Sequence, residues 1–274
     1  MKRLTILMLA AALAGCSFFS KKSSDLPAVS AAPANPQVLL LGEVHDDVQG
    51  HKLRVEELKR RVEAGWRPAI AMEQFDRDRQ AQLESAQKGC LDASCLIKVM
   101  GGPRWDWQLY HPVIQLALDN HLPLIAANLS RTDASKVVRD GVASSFDAAT
   151  VAAYKLNKPL PADLRKAQER EIMEGHCNMV SDVMLGGMVD AQVARDIWMA
   201  KLIRDQQPRD VVLIAGNGHV RKDIGVPRWL NAIEPKLTVR AIGFVEPDQM
   251  RLPFDEVRKL DVQKRQDPCA GLKK

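Results

Sequence analysis

The sequence predicts an α/β fold: a parallel sheet flanked by helices, with a small all-helical subdomain inserted into it. Two observations carry this. Unbroken apolar runs, Val38-Leu39-Leu40-Leu41 and Val211-Val212-Leu213-Ile214-Ala215, have the length and composition of strands buried on both faces. Between such runs lie stretches with helical periodicity, and strand–helix alternation of this kind builds parallel sheets.

Taken in order, the strand at 38–41 is followed by a helix over 51–64. Leu53, Leu58 and Val62 form its apolar stripe, and Gly65 ends it. A second strand is read at 68–72 and another helix near 76–87. Residues 105–120 place Tyr110, Val113, Ile114, Ala117 and Leu118 at helical spacing, and 122–127 is a third strand ending at Asn128. From 130 to about 180 the pattern turns to polar helices without a strand; this is the inserted subdomain. A long helix over 181–206 lines up Met184, Met188, Ala191, Ala194, Trp198 and Leu202 at spacings of three and four. The fourth strand is 211–215, and 237–244 alternates well enough to be a fifth. The chain beyond Glu246 reads as partly loose, with 251–274 set aside as a C-terminal tail.

Residues 1–15 read as a secretion leader. Lys2 and Arg3 precede an apolar stretch at 4–13 that is too short to span a bilayer. The stretch ends in Leu13-Ala14-Gly15-Cys16, which resembles a bacterial lipobox. That resemblance implies cleavage before Cys16, lipidation of Cys16 (palmitate) and sorting to the outer membrane. Residues 16–36, rich in Ser, Ala, Pro and Lys, form a flexible tether, which leaves the α/β domain at 37–250. The net charge of +5 falls to +3 when Lys2 and Arg3 are set aside, and no dense basic run with interleaved aromatics occurs. Nucleic acid is therefore not an expected partner. Besides Cys16 there are four cysteines, and in an oxidising envelope an even count favours disulfides. Three pairings are open; Cys90–Cys95 with Cys177–Cys269 is the first choice, because Cys90 and Cys95 are close in sequence across a helix break.

The chemistry-bearing phrases follow the two apolar runs directly: Gly42-Glu43-Val44-His45 and Gly216-Asn217-Gly218-His219. Ligands of open α/β sheets collect beyond the carboxyl ends of the strands, so both histidines are expected at one rim. Glu43, His45 and His219 suit a divalent ion (Zn, Mn or Fe), with Asp46, Asp47 and His51 as supporting groups. The bland alternative is that these side chains hydrogen-bond one another and organise the loops. No nucleophile elbow, phosphate-binding loop or His-Glu-x-x-His motif occurs.

Several ordered motifs make the comparison specific: 41–47 with His51, Met72-Glu73-Gln74-Phe75, Trp107-Gln108-Leu109-Tyr110, Ala127-Asn128-Leu129, Asp196-Ile197-Trp198-Met199-Ala200 and Ala215-Gly216-Asn217-Gly218-His219-Val220. Together, over roughly 38–243, they resemble the ChaN family of haem-binding lipoproteins, which is grouped with Tiki-type metalloproteases and erythromycin esterase-like proteins. The resemblance implies an iron-uptake role, with haem held between two copies of the protein and iron ligated by tyrosine. Only two tyrosines are present. Tyr154, in the polar insertion, is the expected ligand presented at an exposed surface, whereas Tyr110 reads as a core residue. His176 is the competing axial ligand, with Met173, Met179 and Met184 as soft surfaces for the macrocycle. Arg165, Lys166 and Arg170 are expected to meet the haem propionates.

The expected function is that of an outer-membrane-anchored lipoprotein that binds haem across a homodimer and assists haem or iron acquisition by storage, hand-off or protection from free haem, an outer-membrane haem receptor being a candidate partner. The competing function is a metal-dependent hydrolase, a Tiki-like protease or esterase, in which Glu43, His45 and His219 hold the ion. A third is a structural lipoprotein whose histidines only order loops.

Overall fold

A computed structural model describes residues 35–265 and 269–270. The leader, Cys16 and most of the tether lie outside the described residues. Six strands form one wholly parallel sheet: β1 (Val38–Glu43), β2 (Ala69–Asp76), β3 (Leu124–Asn128), β4 (Val211–Gly216), β5 (Val239–Val245) and β6 (Glu256–Lys259), in the order β3-β2-β4-β1-β5-β6. β1 and β4 run side by side at its centre, with Val38 opposite Val211 and Glu43 opposite Gly216.

Every residue of β1 and β4 is buried, because helices cover both faces. Alternation along each strand sorts the side chains between two cores. Leu39, Leu41, Ile70, Met72, Val212 and Ile214 pack on one side, beneath α1 (Val48–Glu63), α2 (Gln80–Gly89), α3 (Ala93–Met100) and α4 (Trp107–Asp119). Val38, Leu40, Ala69, Ala71, Val211 and Leu213 pack on the other. There they meet α5 (Arg131–Asp140), α6 (Ala148–Tyr154), α7 (Ala162–Gly175) and α8 (Asp182–Asp205). The inserted helices α5 to α7 thus share the core of one sheet face: Val137, Tyr154, Leu164 and Ile172 all bury into it.

The helix after β1 lies on one face, whereas the turn α9 (Asn217–Val220) and helix α10 (Val226–Leu230) after β4 pack on the other. Adjacent parallel strands whose connections leave to opposite faces open a crevice at their carboxyl ends. That crevice holds both histidine phrases.

The structure amends the sequence-based elements in three places. The tail contains β6, a short edge strand of Glu256-Val257-Arg258-Lys259 pairing with β5. Its charged residues hide it from any search for apolar runs and suit an edge that must not pair further. Helix α3, capped by Asp92 accepting from the Cys95 N–H at 2.8 Å, follows the helix break near Cys90. β2 continues to Asp76, so Glu73 and Gln74 are strand residues and buried. The disulfides are Cys90–Cys95 and Cys177–Cys269, the pairing expected first.

The opposite edge, β3, is closed by side chains of α2. Gln80 accepts from the Ala126 N–H at 2.7 Å; Gln87 accepts from the Leu124 N–H at 3.0 Å and donates to the Leu122 carbonyl at 2.6 Å. Two glutamine amides thus stand in for a missing neighbouring strand. No helix among the described residues is long and apolar enough to cross a membrane.

Candidate functional site

The two glycine-histidine phrases interlock at the crevice. A Cβ on Gly42 would collide with the amide of Asn217, which donates from Nδ2 to the Phe244 carbonyl at 2.6 Å and ties α9 to β5. A Cβ on Gly216 would lie 3.0 Å from Nε2 of His45. Each phrase therefore needs its glycine because the other phrase occupies the space.

Glu43, at the end of β1, is the hub of the first network. Its carboxylate is ion-paired with the fully buried Arg54 of α1 and accepts from Tyr110 Oη at 2.6 Å and from Gln74 Nε2 at 2.9 Å. His45 Nδ1 lies 2.7 Å from the same carboxylate. Burial alone would raise the Glu43 pKa, but Arg54 and His45 hold it below the usual carboxylate range. Burial and the Glu43 charge push the Tyr110 phenol up. His51 has a defined tautomer: Arg54 donates to its Nδ1 at 2.6 Å, so Nε2 carries the hydrogen and donates to the His45 carbonyl at 3.0 Å. Burial and the Arg54 charge keep that ring neutral by lowering its pKa.

The second network centres on His219. Nδ1 lies 2.6 Å from Asp196 of α8, and Nε2 lies 3.6 Å from Glu73 of β2 and 3.1 Å from the Gln192 amide. Burial disfavours the charged ring, but Asp196 and Glu73 outweigh it and hold His219 up to about 10. Burial would likewise raise Glu73, yet His219, His45 and the Gly216 N–H at 2.8 Å bring it down to about 2. For Asp196 burial prevails over its partner, raising it to about 6. His45, partly open to solvent and edge-on to Trp105, is also raised: the partial desolvation of the ring opposes the charge, and Glu43 and Glu73 favour it more strongly. Glu73 is thus the carboxylate between the two histidines, and the expected convergence of His45 and His219 is present.

The expected metal set does not fit this geometry. The Glu43 carboxylate is already taken by Arg54, Tyr110, Gln74 and His45, and both nitrogens of the His219 ring face partners, Nδ1 Asp196 and Nε2 Gln192 and Glu73. Among the described residues no group of three or more His, Cys, Asp or Glu is arranged to hold a metal ion. Sequence reasoning missed Arg54, Gln74, Glu73 and Asp196 as members of the site. The signal was available for the last two: a carboxylate closing an apolar strand, and another between Ala194 and Ile197 on a buried helix.

Beside the His219 network opens a cleft of about 870 Å³ between α5, the end of α7 and α8. Its apolar wall is Leu129, Ala134, Val138, Ile172 and Met188; Arg104, Arg131, Arg195 and His176 supply polar groups, and Gln192 joins it to His219. Nη2 of Arg104 donates to both oxygens of Asp76, at 2.8 and 2.9 Å, whereas Arg195, half-buried, makes no ion pair among the described residues. His176 is exposed, and its Nδ1 donates to the Ile172 carbonyl at 2.7 Å, which leaves the Nε2 lone pair free.

The other expected haem residues are dispersed. Tyr154 is not presented at a surface: it is 8% exposed, its hydroxyl is buried without a hydrogen-bond partner among the described residues, and burial raises it to about 12. Arg165 pairs with Asp190 at 3.3 Å beside Tyr154, in a separate pocket from His176. Met173 is half-buried and Arg170 exposed, and neither lines the cleft. Only His176 of the five lies in it.

No curated protein matches the sequence. Among solved structures, the cofacial haem complex of ChaN from Campylobacter jejuni is similar at a TM-score of 0.64, with 20% identity over 77% of this chain and 82% of that one. A mutant of erythromycin esterase EreC in its open conformation follows at 0.44, with 16% identity over 77% and 70%. The type III effector HopBA1 stands at 0.42, with 13% identity over 83% and 88%. A family model described as haem-binding uptake, Tiki superfamily, ChaN, matches residues 29–230. That match spans well over half of the sequence, and the protein belongs to this ChaN family of haem-binding uptake proteins.

Proposed function

We propose that this protein binds haem in the cleft beside His219 and serves haem or iron uptake. The observation that carries the proposal is His176. A ring whose Nδ1–H is fixed on a backbone carbonyl, with Nε2 turned free in an amphipathic cleft, is prepared as an axial ligand. The residues fit the group. Ile172, Val138, Ala134 and Met188 offer an apolar wall for the macrocycle, and the unpaired Arg195, with Arg131 and Arg104, offers guanidinium groups for the propionates. Bound haem supplies the iron that is the cargo; the chain's own residues hold and orient it.

Val138, in the cleft wall, is 50% exposed, and on the chain leading from α7 into α8 Met179 is 59%, Val183 93% and Met184 60% exposed. Apolar exposure of this extent calls for a cover, and a second copy sharing the haem meets that need. Lipidation at Cys16 and residence at the outer membrane complete the proposal. They rest on the lipobox and the tether, and the receptor partner on family kinship. Carboxylates already paired with Arg54, His45 and His219 do not favour the hydrolytic alternative.

The test is a haemin titration followed in the Soret region. His176→Ala is expected to weaken binding at least tenfold, while Tyr154→Phe leaves it unchanged. A Soret band lost in Tyr154→Phe and kept in His176→Ala would reverse the assignment of the ligand.

A further inference from the structure

A second pocket, of about 450 Å³, is walled by α6, the loop at 155–161, the start of α7 and α10. Its floor is apolar and aromatic. Tyr154 and Trp229 meet edge to face with centroids 6.3 Å apart, and Val142, Leu156 and Leu160 complete it. Pro159 and Pro161 stiffen the loop that forms the outer wall, so the cavity is preformed. The size suits a small organic molecule.

The polar lining is one-sided. Four cations border the pocket, Lys155, Lys158, Arg165 and Arg228, against one acid, Asp190. Arg165 is paired with Asp190 and Arg228 with Asp163, but the two exposed lysines have no acidic partner among the described residues. An aromatic floor under an unbalanced cationic rim selects a molecule with a flat or branched apolar body and one negative group. We propose that this pocket binds a small apolar carboxylate, held by its body against Trp229 and Leu160 and by its charge at Lys155 and Lys158. The site shares no lining residue with the cleft that carries His176, and the proposal does not depend on haem binding.

The test uses the full chain and 2-naphthoate as probe, followed by calorimetry and by ligand-observed NMR, with 2-naphthamide and inorganic phosphate as comparisons. Naphthoate is expected to bind saturably at one site per chain, the neutral amide about fivefold more weakly, and phosphate alone not to compete. Leu160→Trp, which fills the cavity, is expected to abolish binding. Lys155→Glu with Lys158→Glu, at exposed positions that leave the core untouched, is expected to weaken it up to about tenfold, the range of two exposed charge contacts. Haemin uptake should be unchanged by either variant. Equal binding of acid and amide, indifference to both variants, displacement by haemin or no binding at millimolar probe would each overturn the proposal.

Discussion

Nδ1 of His219, on the turn after β4, lies 2.6 Å from a carboxylate oxygen of Asp196, a fully buried residue in the middle of α8. This bond ties the central strand's exit to the longest helix, and Glu73 flanks the ring on its other side. The imidazole is consequently a buried cation.

A pH dependence follows from that charge. The folded value of about 10 lies above the ordinary 6.5, so between these values the native state keeps a proton that the unfolded chain releases. The stabilisation is complete below pH 6.5 and is lost as pH rises towards 10. The unfolding free energy from urea denaturation should fall between pH 7 and 9.5 by more than about 1 kcal/mol, the equivalent of a one-unit shift. His219→Gln should be less stable at pH 7 and flatter across this range; a wild-type slope retained in the variant would assign the effect elsewhere.

Glu43 and Arg54 form a pair without access to solvent. Glu43→Gln keeps the volume but strands the guanidinium, at an expected cost of about 3–5 kcal/mol. Tyr110→Phe removes one donor to the same carboxylate and should cost about 1–3 kcal/mol. Denaturation of both variants and of the double variant gives the coupling, which should be non-additive because both act on one carboxylate.

At the sheet edge, Gln87 provides two of the bonds that close β3. Gln87→Ala should cost about 1–3 kcal/mol through unpaired backbone groups. The freed edge should also make the protein associate, visible as concentration-dependent light scattering. A monodisperse variant at all concentrations argues that α2 alone suffices to cover the edge.

If the cleft holds haem propionates, Arg195→Ala should weaken haemin binding roughly tenfold, as expected for loss of a charge-assisted hydrogen bond. The gap between wild type and variant should narrow as salt is raised. An unchanged affinity at low salt would move the propionates away from α8.

The apolar runs at 38–41 and 211–215 were sufficient to place β1 and β4, and the polar phrases after them to place His45 and His219 at one rim, because burial on both faces writes itself into local composition. β6 left no such trace: an edge strand need not be apolar, and Glu256 and Lys259 read as tail. Tyr154 looked like a surface residue of a polar helix until the fold set its ring under Trp229. The partners of the histidines were likewise decided only in three dimensions. Glu73 stands between His45 and His219 because β4 inserts between β1 and β2, and strand order is a property of long-range packing that no local periodicity encodes. Sequence alone determined which segments are buried and which carry polar ends; tertiary structure determined which charge meets which, and with it the ionisation of every group at the rim.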